Sequence, residues 1–222
     1  VRARQDVMAA RRSETYERLL ARRAPLRILE IGCGSGGLGR GFTEAGHDYT
    51  GLDIDPRPIS DGVSQGLNLI NLDFMDFDTE NRFDVITFSQ VLEHILRPKD
   101  FMSKVWSHLK SGGLIHLDVP NHHALAGVPS RLRGGARSRF GGINFPEHCM
   151  AYTKESLHTL LRTYEPSRAR VFSATPSNEV WGQAISPSLL YRNYYALSSL
   201  TNTRSLLVGI CQSIPGRDSE NV

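Results

Sequence analysis

A short apolar strand running straight into a cluster of glycines constrains this chain more than any other feature. Leu26–Ile31 is apolar and partly β-branched, and it leads directly into Gly32-Cys33-Gly34-Ser35-Gly36-Gly37. Glycine enters positive φ without steric cost, so such a turn lets the backbone pass close beneath a ligand. A helix to about Ala45, closed by Gly46 as a C-cap, completes a strand–turn–helix unit. The rhythm then repeats. Tyr49–Ile54 reads as a strand, Asp55-Pro56 starts a helix, and Leu67–Leu72 and Phe83–Phe88 are further strands. Pro98–Leu109 reads as a helix closed by Ser111-Gly112-Gly113, and Leu114–Val119 as a fifth strand ended by Pro120-Asn121. Strand alternating with helix at this spacing predicts a parallel sheet covered on both faces, with right-handed crossovers.

The flanks are less regular. Residues 5–23 form a helix stopped by Pro25, and residues 121–152 form a loop rich in Gly, Arg and Ser in its first part. A loop this long suits a lid over a site. Thr153 caps a helix through Leu161, Ala169–Ala174 is a sixth strand, residues 186–200 are helical, and Ser205–Gln212 is the last strand. The 222 residues suit a single domain: an N-terminal helix in 1–24, a cofactor-binding half in 25–120, the lid, and a C-terminal half in 153–222 with a helical insertion. The tail Arg217–Val222 is polar and expected to fray. With 40% apolar and 22% charged residues, disorder is not expected. Three widely spaced cysteines without a CxxC pair fit a reducing cytosol better than a disulfide framework or a zinc cluster. No apolar run reaches bilayer length and no leader is expected, so the chain reads as cytoplasmic.

The glycine turn alone is ambiguous, because Gly32, Gly34 and Gly37 also satisfy the GxGxxG pattern of dinucleotide binders. Glu30, two residues before the first glycine, tips the balance. A carboxylate there would oppose a pyrophosphate but suits a ligand carrying a sulfonium and an ammonium group; it can also hold the glycine loop through backbone amides. Asp53, at the end of the second strand, is placed to accept two ribose hydroxyls, a role that nucleoside-binding folds share. Asp73 and Phe74 follow the third strand, where an acceptor and an aromatic face can hold an adenine; Phe74 equally fits plain core packing.

The segment Leu29-Glu30-Ile31-Gly32-Cys33-Gly34-Ser35-Gly36 resembles the first motif of the class I S-adenosylmethionine-dependent methyltransferases, and Gly51-Leu52-Asp53-Ile54-Asp55 resembles their second acidic loop. Phe83 through His94 looks like the branch holding ubiquinone-biosynthesis, natural-product and glycan O-methyltransferases. Leu109-Lys110-Ser111-Gly112-Gly113, Val119-Pro120-Asn121, Pro146-Glu147-His148 and Tyr152 to Leu157 fit the same branch. The resemblance implies a Rossmann-like α/β fold with a seven-stranded, mostly parallel sheet whose last strand is antiparallel. It implies S-adenosylmethionine as cofactor, with S-adenosylhomocysteine as product. The cofactor would be bound by Glu30, Gly32, Gly34, Gly36, Asp53, Ile54, Asp73 and Phe74, with Ser89 and Gln90 toward the methyl end.

Methyl transfer from a sulfonium already has a good leaving group, so the protein must position the acceptor and deal with its proton. Histidine is the natural base near neutral pH, and His148, after the lid, is the first choice, with His94 the second. Arg12 and Tyr16 can close over the pocket but read more simply as ordinary surface. Some ubiquinone-type relatives bind magnesium through an acid, a second acid three residues on, and the adjacent histidine. Glu93 and His94 match that pattern, but Gln90 replaces the first acid, so no metal is expected. The function expected is methyl transfer to a hydroxyl of a small molecule. Arg131, Arg133, Arg137 and Arg139 allow an anionic acceptor. An RNA methyltransferase is the alternative within enzymes, but the arginine clusters lack interleaved aromatics, so nucleic acid is disfavoured. A non-catalytic cofactor-binding protein on the same fold is the other alternative.

Overall fold

The computed structural model describes residues 2–123, 148–174 and 206–216. The expected lid, for residues 124–147, and the expected helix at 186–200 lie outside them. Strands β1 (Arg27–Ile31), β2 (Asp48–Asp53), β3 (Leu69–Asn71), β4 (Phe83–Ser89), β5 (Leu109–Pro120), β6 (Arg168–Ala174) and β7 (Leu206–Gln212) form one seven-stranded sheet in the order β3-β2-β1-β4-β5-β7-β6. The first five pair in parallel; β7 runs antiparallel to both β5 and β6. Helices α1 (Arg2–Leu20), α2 (Gly37–Glu44), α3 (Pro56–Ser64), α4 (Pro98–Ser107) and α5 (Lys154–Arg162) surround the sheet. The architecture is the one expected.

Side-chain alternation divides the core. Leu29, Ile31, Ile86, Phe88, Ile115, Leu117 and Val119 point to one face and pack with Phe101, Met102 and Val105 of α4 and Leu157 and Leu161 of α5. Ile28, Val85 and Leu114 point to the other, where they meet Ala9 and Tyr16 of α1 and Phe42 of α2. Continuing two residues along each strand on this second face, the residues are Glu30, then Thr87 and Ser89, then His116 and Asp118. The register sets Glu30 beside Thr87, Thr87 beside His116, and Ser89 beside Asp118. The α1 face is therefore apolar low in the sheet and polar toward the carboxyl ends of the strands.

Boundaries differ from expectation where backbone pairing overrides local pattern. The helix expected over Pro98–Leu109 ends at Ser107, because Leu109 already pairs with Phe83. The next pair on that ladder is Val85 with Leu114, so Ser111-Gly112-Gly113 bulges out of a strand that is otherwise continuous. Helix α1 ends at Leu20 rather than running to 23, with Ala21 in the left-handed region at φ 50°.

Asp84 ties the bottom of the sheet together. Its buried carboxylate accepts from Arg22 Nη1 at 2.6 Å, from Lys110 Nζ at 2.9 Å and from the Arg27 amide at 2.8 Å. Burial pushes this carboxyl up, but the hydrogen bonds from Lys110 and the Arg27 amide and the charge of Lys110 outweigh that and hold it below the usual aspartate range. Because the folded state lowers it, the stabilisation is complete above about pH 4 and is lost as pH falls below that. Asp84→Ala should destabilise the protein at pH 7 by about 1–3 kcal/mol in urea unfolding, since both cations stay partly solvated. The difference from the wild type should shrink at pH 3; an equal difference at both pH values would contradict this assignment.

Candidate active site

The carboxyl ends of β1 and β2 are joined by backbone. The Gly32 and Cys33 amides both donate to Leu52 O, at 2.8 and 3.0 Å, and this folds the glycine turn back over β2. Gly32 takes φ 73°, and a Cβ there would lie 2.5 Å from Val91 Cγ2, so the turn also seats the loop that follows β4. Gly34 takes φ 55° and aims its amide at Asp53 Oδ2, 2.7 Å away. The other oxygen, Oδ1, accepts from the Asp55 amide at 2.9 Å. Asp53 is thus clamped at both oxygens by main chain, with further lone pairs open for hydroxyl donors. Gly36 caps the start of α2. Ile54, the next residue after Asp53, is 73% exposed. The Leu72 amide donates to Asp53 O, which sets the exposed Asp73 next to the same strand end; Asp73 Oδ1 caps the Met75 amide at 2.8 Å.

Two expectations are corrected here. Phe74 offers no ring face to a ligand: it is 3% exposed and packs edge-on against Phe101 and beside Phe77 and His108. The carboxylate that reaches the glycine loop is Asp53, whereas Glu30 accepts from the Tyr49 hydroxyl at 2.6 Å. Glu30 is buried in the sheet below the turn, and loss of water pushes its carboxyl up to about 7, against the opposing effects of Tyr49 and Arg12.

Arg12 and Tyr16 are also not surface residues. One helical turn apart on α1, they cover the polar end of the sheet. Arg12 donates to Thr87 Oγ1 and Ser89 Oγ at 3.4 Å and to Asp118 Oδ2 at 3.3 Å. The Ser89 hydroxyl donates to the same Asp118 oxygen at 2.7 Å, and Gln90 Nε2 donates to Oδ1 at 3.0 Å. Below this, the Tyr16 hydroxyl and His116 Nδ1 share a hydrogen bond of 2.6 Å. His116 is neutral there, because burial and the Arg12 charge drive its pKa well down. Asp118 was missed by sequence reasoning. Its signal is the alternation in Leu114-Ile115-His116-Leu117-Asp118, where two polar side chains share one face of a buried strand and so require partners.

Past Gln90 the chain makes a 3-10 turn, Leu92–His94. The amides of Cys149 and Met150 donate to Glu93 O at 2.8 and 2.9 Å and strap the distant His148 segment onto this turn. The rings of His94 and His148 meet edge to face, centroids 4.9 Å apart. Ligating atoms of Glu93, His94 and His148 all lie within 4.8 Å of one another. Glu93 is 1% exposed, and among the described residues neither of its carboxylate oxygens has a hydrogen-bond partner. Burial pushes this carboxyl up to about 7. The structure thus brings together His148 and His94, the two expected bases, with Glu93, the acid that precedes His94 in the chain.

Residues 2–165 match the family described as a methyltransferase domain. The chain belongs to the class I S-adenosylmethionine-dependent methyltransferases. Among its relatives is the ubiquinone biosynthesis O-methyltransferase of Bordetella avium, 22% identical over 179 residues, which span 74% of this chain and 73% of that protein. The mitochondrial ubiquinone biosynthesis O-methyltransferase of Schizosaccharomyces pombe is 31% identical over 142 residues, covering 60% of this chain but only 47% of the relative. The fold is also that of the plantazolicin methyltransferase BpumL, solved with a monoazolic desmethylPZN analog and SAH: TM-score 0.66, 17% identity, and coverage of 95% of this chain and 84% of that one. Among the described residues of this methyltransferase, no helix is long and apolar enough to cross a membrane.

The buried Glu30 makes a measurable demand on the ligand-free enzyme. Its pKa is raised by folding, so the folded state favours the protonated form. Stability from this group is complete below about pH 4.5 and is lost as pH rises to about 7, beyond which the loss is constant. Glu30→Gln, which keeps an acceptor for Tyr49, should therefore be the more stable protein at pH 8, by up to roughly 3 kcal/mol, and nearly equal to the wild type at pH 4.5. Urea titrations at both pH values test this; a constant difference would show that Glu30 ionises normally.

Proposed function

We propose that this enzyme transfers the methyl group of S-adenosylmethionine to a hydroxyl of a small-molecule acceptor. The observation that supports an oxygen acceptor most is the group Glu93, His94 and His148, assembled on the loop that follows Ser89 and Gln90 at the carboxyl end of β4. In this reading the cofactor lies across the ends of β1 and β2, where open α/β sheets bind their ligands. The fixed carboxylate of Asp53 accepts the two ribose hydroxyls. Ile54 supplies an apolar side to the adenine and Asp73 an acceptor for its amino group. Glu30 lies below the methionine end, where a sulfonium and an ammonium would draw its carboxyl back toward ionisation; the penalty of burying it is thereby offset only when the cofactor is present.

The reaction is an in-line displacement. A lone pair of the acceptor oxygen forms the bond to the methyl carbon as the carbon–sulfur bond breaks, and the sulfonium becomes the neutral thioether of S-adenosylhomocysteine. The hydroxyl proton must leave. Two imidazoles beside a buried carboxylate are the groups placed to receive that proton or to hold the oxygen that loses it. Ser89 and Gln90, both bonded to Asp118, form a rigid floor between the cofactor and this group.

Calorimetry should show that both S-adenosylmethionine and S-adenosylhomocysteine bind, and that Asp53→Ala weakens each by about 1–3 kcal/mol through unpaired ribose hydroxyls. Unchanged affinity in a folded variant would remove the cofactor pose. Phenolic, sugar and acidic hydroxyl acceptors should be screened with cofactor labelled in the methyl group. His148→Ala should then lower turnover roughly 10²–10⁴-fold with cofactor affinity nearly unchanged. Wild-type turnover in that variant would take His148 out of the reaction.

A further inference from the structure

We propose that Glu30 and Tyr49 make this site select its cofactor by charge, holding the cationic S-adenosylmethionine in preference to its net-neutral product, S-adenosylhomocysteine. The inference rests on the cofactor pose proposed above, with the methionine end over Glu30, and gives that pose a specificity it does not by itself require.

The pair is built into the fold. Tyr49 and Gly51 lie two residues apart on β2, and Gly51 stands beside Glu30 in the sheet. Both Tyr49 and Glu30 are buried, and the Tyr49 hydroxyl donates to Glu30 Oε2 at 2.6 Å. A Cβ on Gly51 would stand 2.6 Å from that hydroxyl, and a Cβ on Gly39 of α2 would stand 2.2 Å from the Tyr49 ring. Two positions without side chains thus leave the space through which Tyr49 reaches the acid.

The charges around the pair are unbalanced. Asp53 at the end of β2 and Asp118 on β5 act on Glu30 as like charges, and Arg12 of α1 is the cation that opposes them. Arg12 already pairs with Asp118 at 3.3 Å, and among the described residues no cation pairs with Glu30 directly. The other ionisable neighbours stay neutral. Burial raises the Tyr16 and Tyr49 hydroxyls and the Cys33 thiol above their ordinary ranges, and it drives the His116 imidazole well down. Glu30 is therefore the group in this corner whose charge changes near neutral pH. A ligand with a net positive charge stabilises its ionised form; a net-neutral ligand does so far less.

S-adenosylmethionine carries a sulfonium and an ammonium against one carboxylate. Methyl transfer turns the sulfonium into a thioether and leaves the product with ammonium and carboxylate in balance. Binding of the cofactor sends the Glu30 proton to solvent, and Glu30 takes a proton back from solvent as the product leaves. This exchange is separate from the proton lost by the acceptor hydroxyl, and over a full cycle Glu30 neither gains nor loses a proton.

The test is calorimetry on the full chain with S-adenosylmethionine, S-adenosylhomocysteine and sinefungin, an unreactive analogue with an amine in place of the methylated sulfur. Near pH 7.5 the two cationic ligands should bind at least about tenfold more tightly than S-adenosylhomocysteine, the equivalent of one pKa unit of coupling. The preference should shrink as pH falls toward about 5.5, because the free enzyme then holds the proton that binding must expel. Near pH 6, S-adenosylmethionine should release up to about one proton, read as a difference in binding enthalpy between buffers of unlike ionisation heat. Glu30→Gln keeps an acceptor for Tyr49; it should cut the preference to within about threefold at every pH and abolish the proton release. The same titrations on Glu30→Gln remove any contribution from the ligands' own amino groups, and retained S-adenosylhomocysteine affinity reports an intact fold. Tyr49→Phe removes a bond that favours the ionised acid, so the preference should appear only at higher pH. Asp53→Ala should weaken all three ligands alike and leave their ratios nearly unchanged, so failure of the ribose reading shows in affinity and failure of this inference in the ratio. A preference that survives Glu30→Gln, or cofactor binding by the wild type without proton release, would overturn the proposal.

Discussion

A strand buried on both faces cannot carry a polar side chain unless something packed against it answers that side chain, and the upper half of this sheet is governed by that constraint. Thr87, Ser89, His116 and Asp118 all project toward α1, and all but the half-buried Ser89 are buried. Arg12 and Tyr16 answer them, one with a guanidinium shared among Thr87, Ser89 and Asp118, the other with a hydroxyl hydrogen-bonded to His116. The helix is held there by hydrogen bonds as much as by Ala9 and its apolar neighbours. The ends of β4 and β5 are therefore fixed in place, and so is everything hung on them.

From that fixed floor the site is built by backbone. The glycine turn folds over β2 because its amides find Leu52 O, and Asp53 is oriented by the amides of Gly34 and Asp55. The loop after β4 seats against Gly32, and the strap of Cys149 and Met150 on Glu93 O brings in His148. Within this frame three acids occupy distinct environments. Asp53 is partly exposed and held by amides. Glu30 is buried beneath the turn with Tyr49 as its hydrogen-bond donor, and Glu93 is buried beside two imidazoles. Burial of Glu30 and Glu93 costs stability in the empty protein, a pattern expected where a site is organised for a ligand rather than for the fold.

Much of this was legible in the sequence. Alternating strand and helix signals and the glycine turn located the parallel sheet and the strand–turn–helix unit at its carboxyl edge, since those features depend on local periodicity and on residues close together in the chain. What escaped depended on distance. Arg12 and Tyr16 read as surface because α1 lacks a strong apolar stripe, and their partners lie on strands far along the chain. Phe74 fitted two readings that only packing against Phe101 separates. Leu109 looked like the end of a helix until its pairing with Phe83 was visible. His148 and His94 were each identifiable as candidate bases, but nothing local places them together against Glu93.

The most direct measurement of the whole account is a crystal structure of the enzyme with S-adenosylhomocysteine. The account predicts both ribose hydroxyls on Asp53, the adenine against Ile54, and the sulfur beyond Ser89 and Gln90, facing His94 and His148. A ligand bound elsewhere, or one whose sulfur points away from His94 and His148, would contradict it.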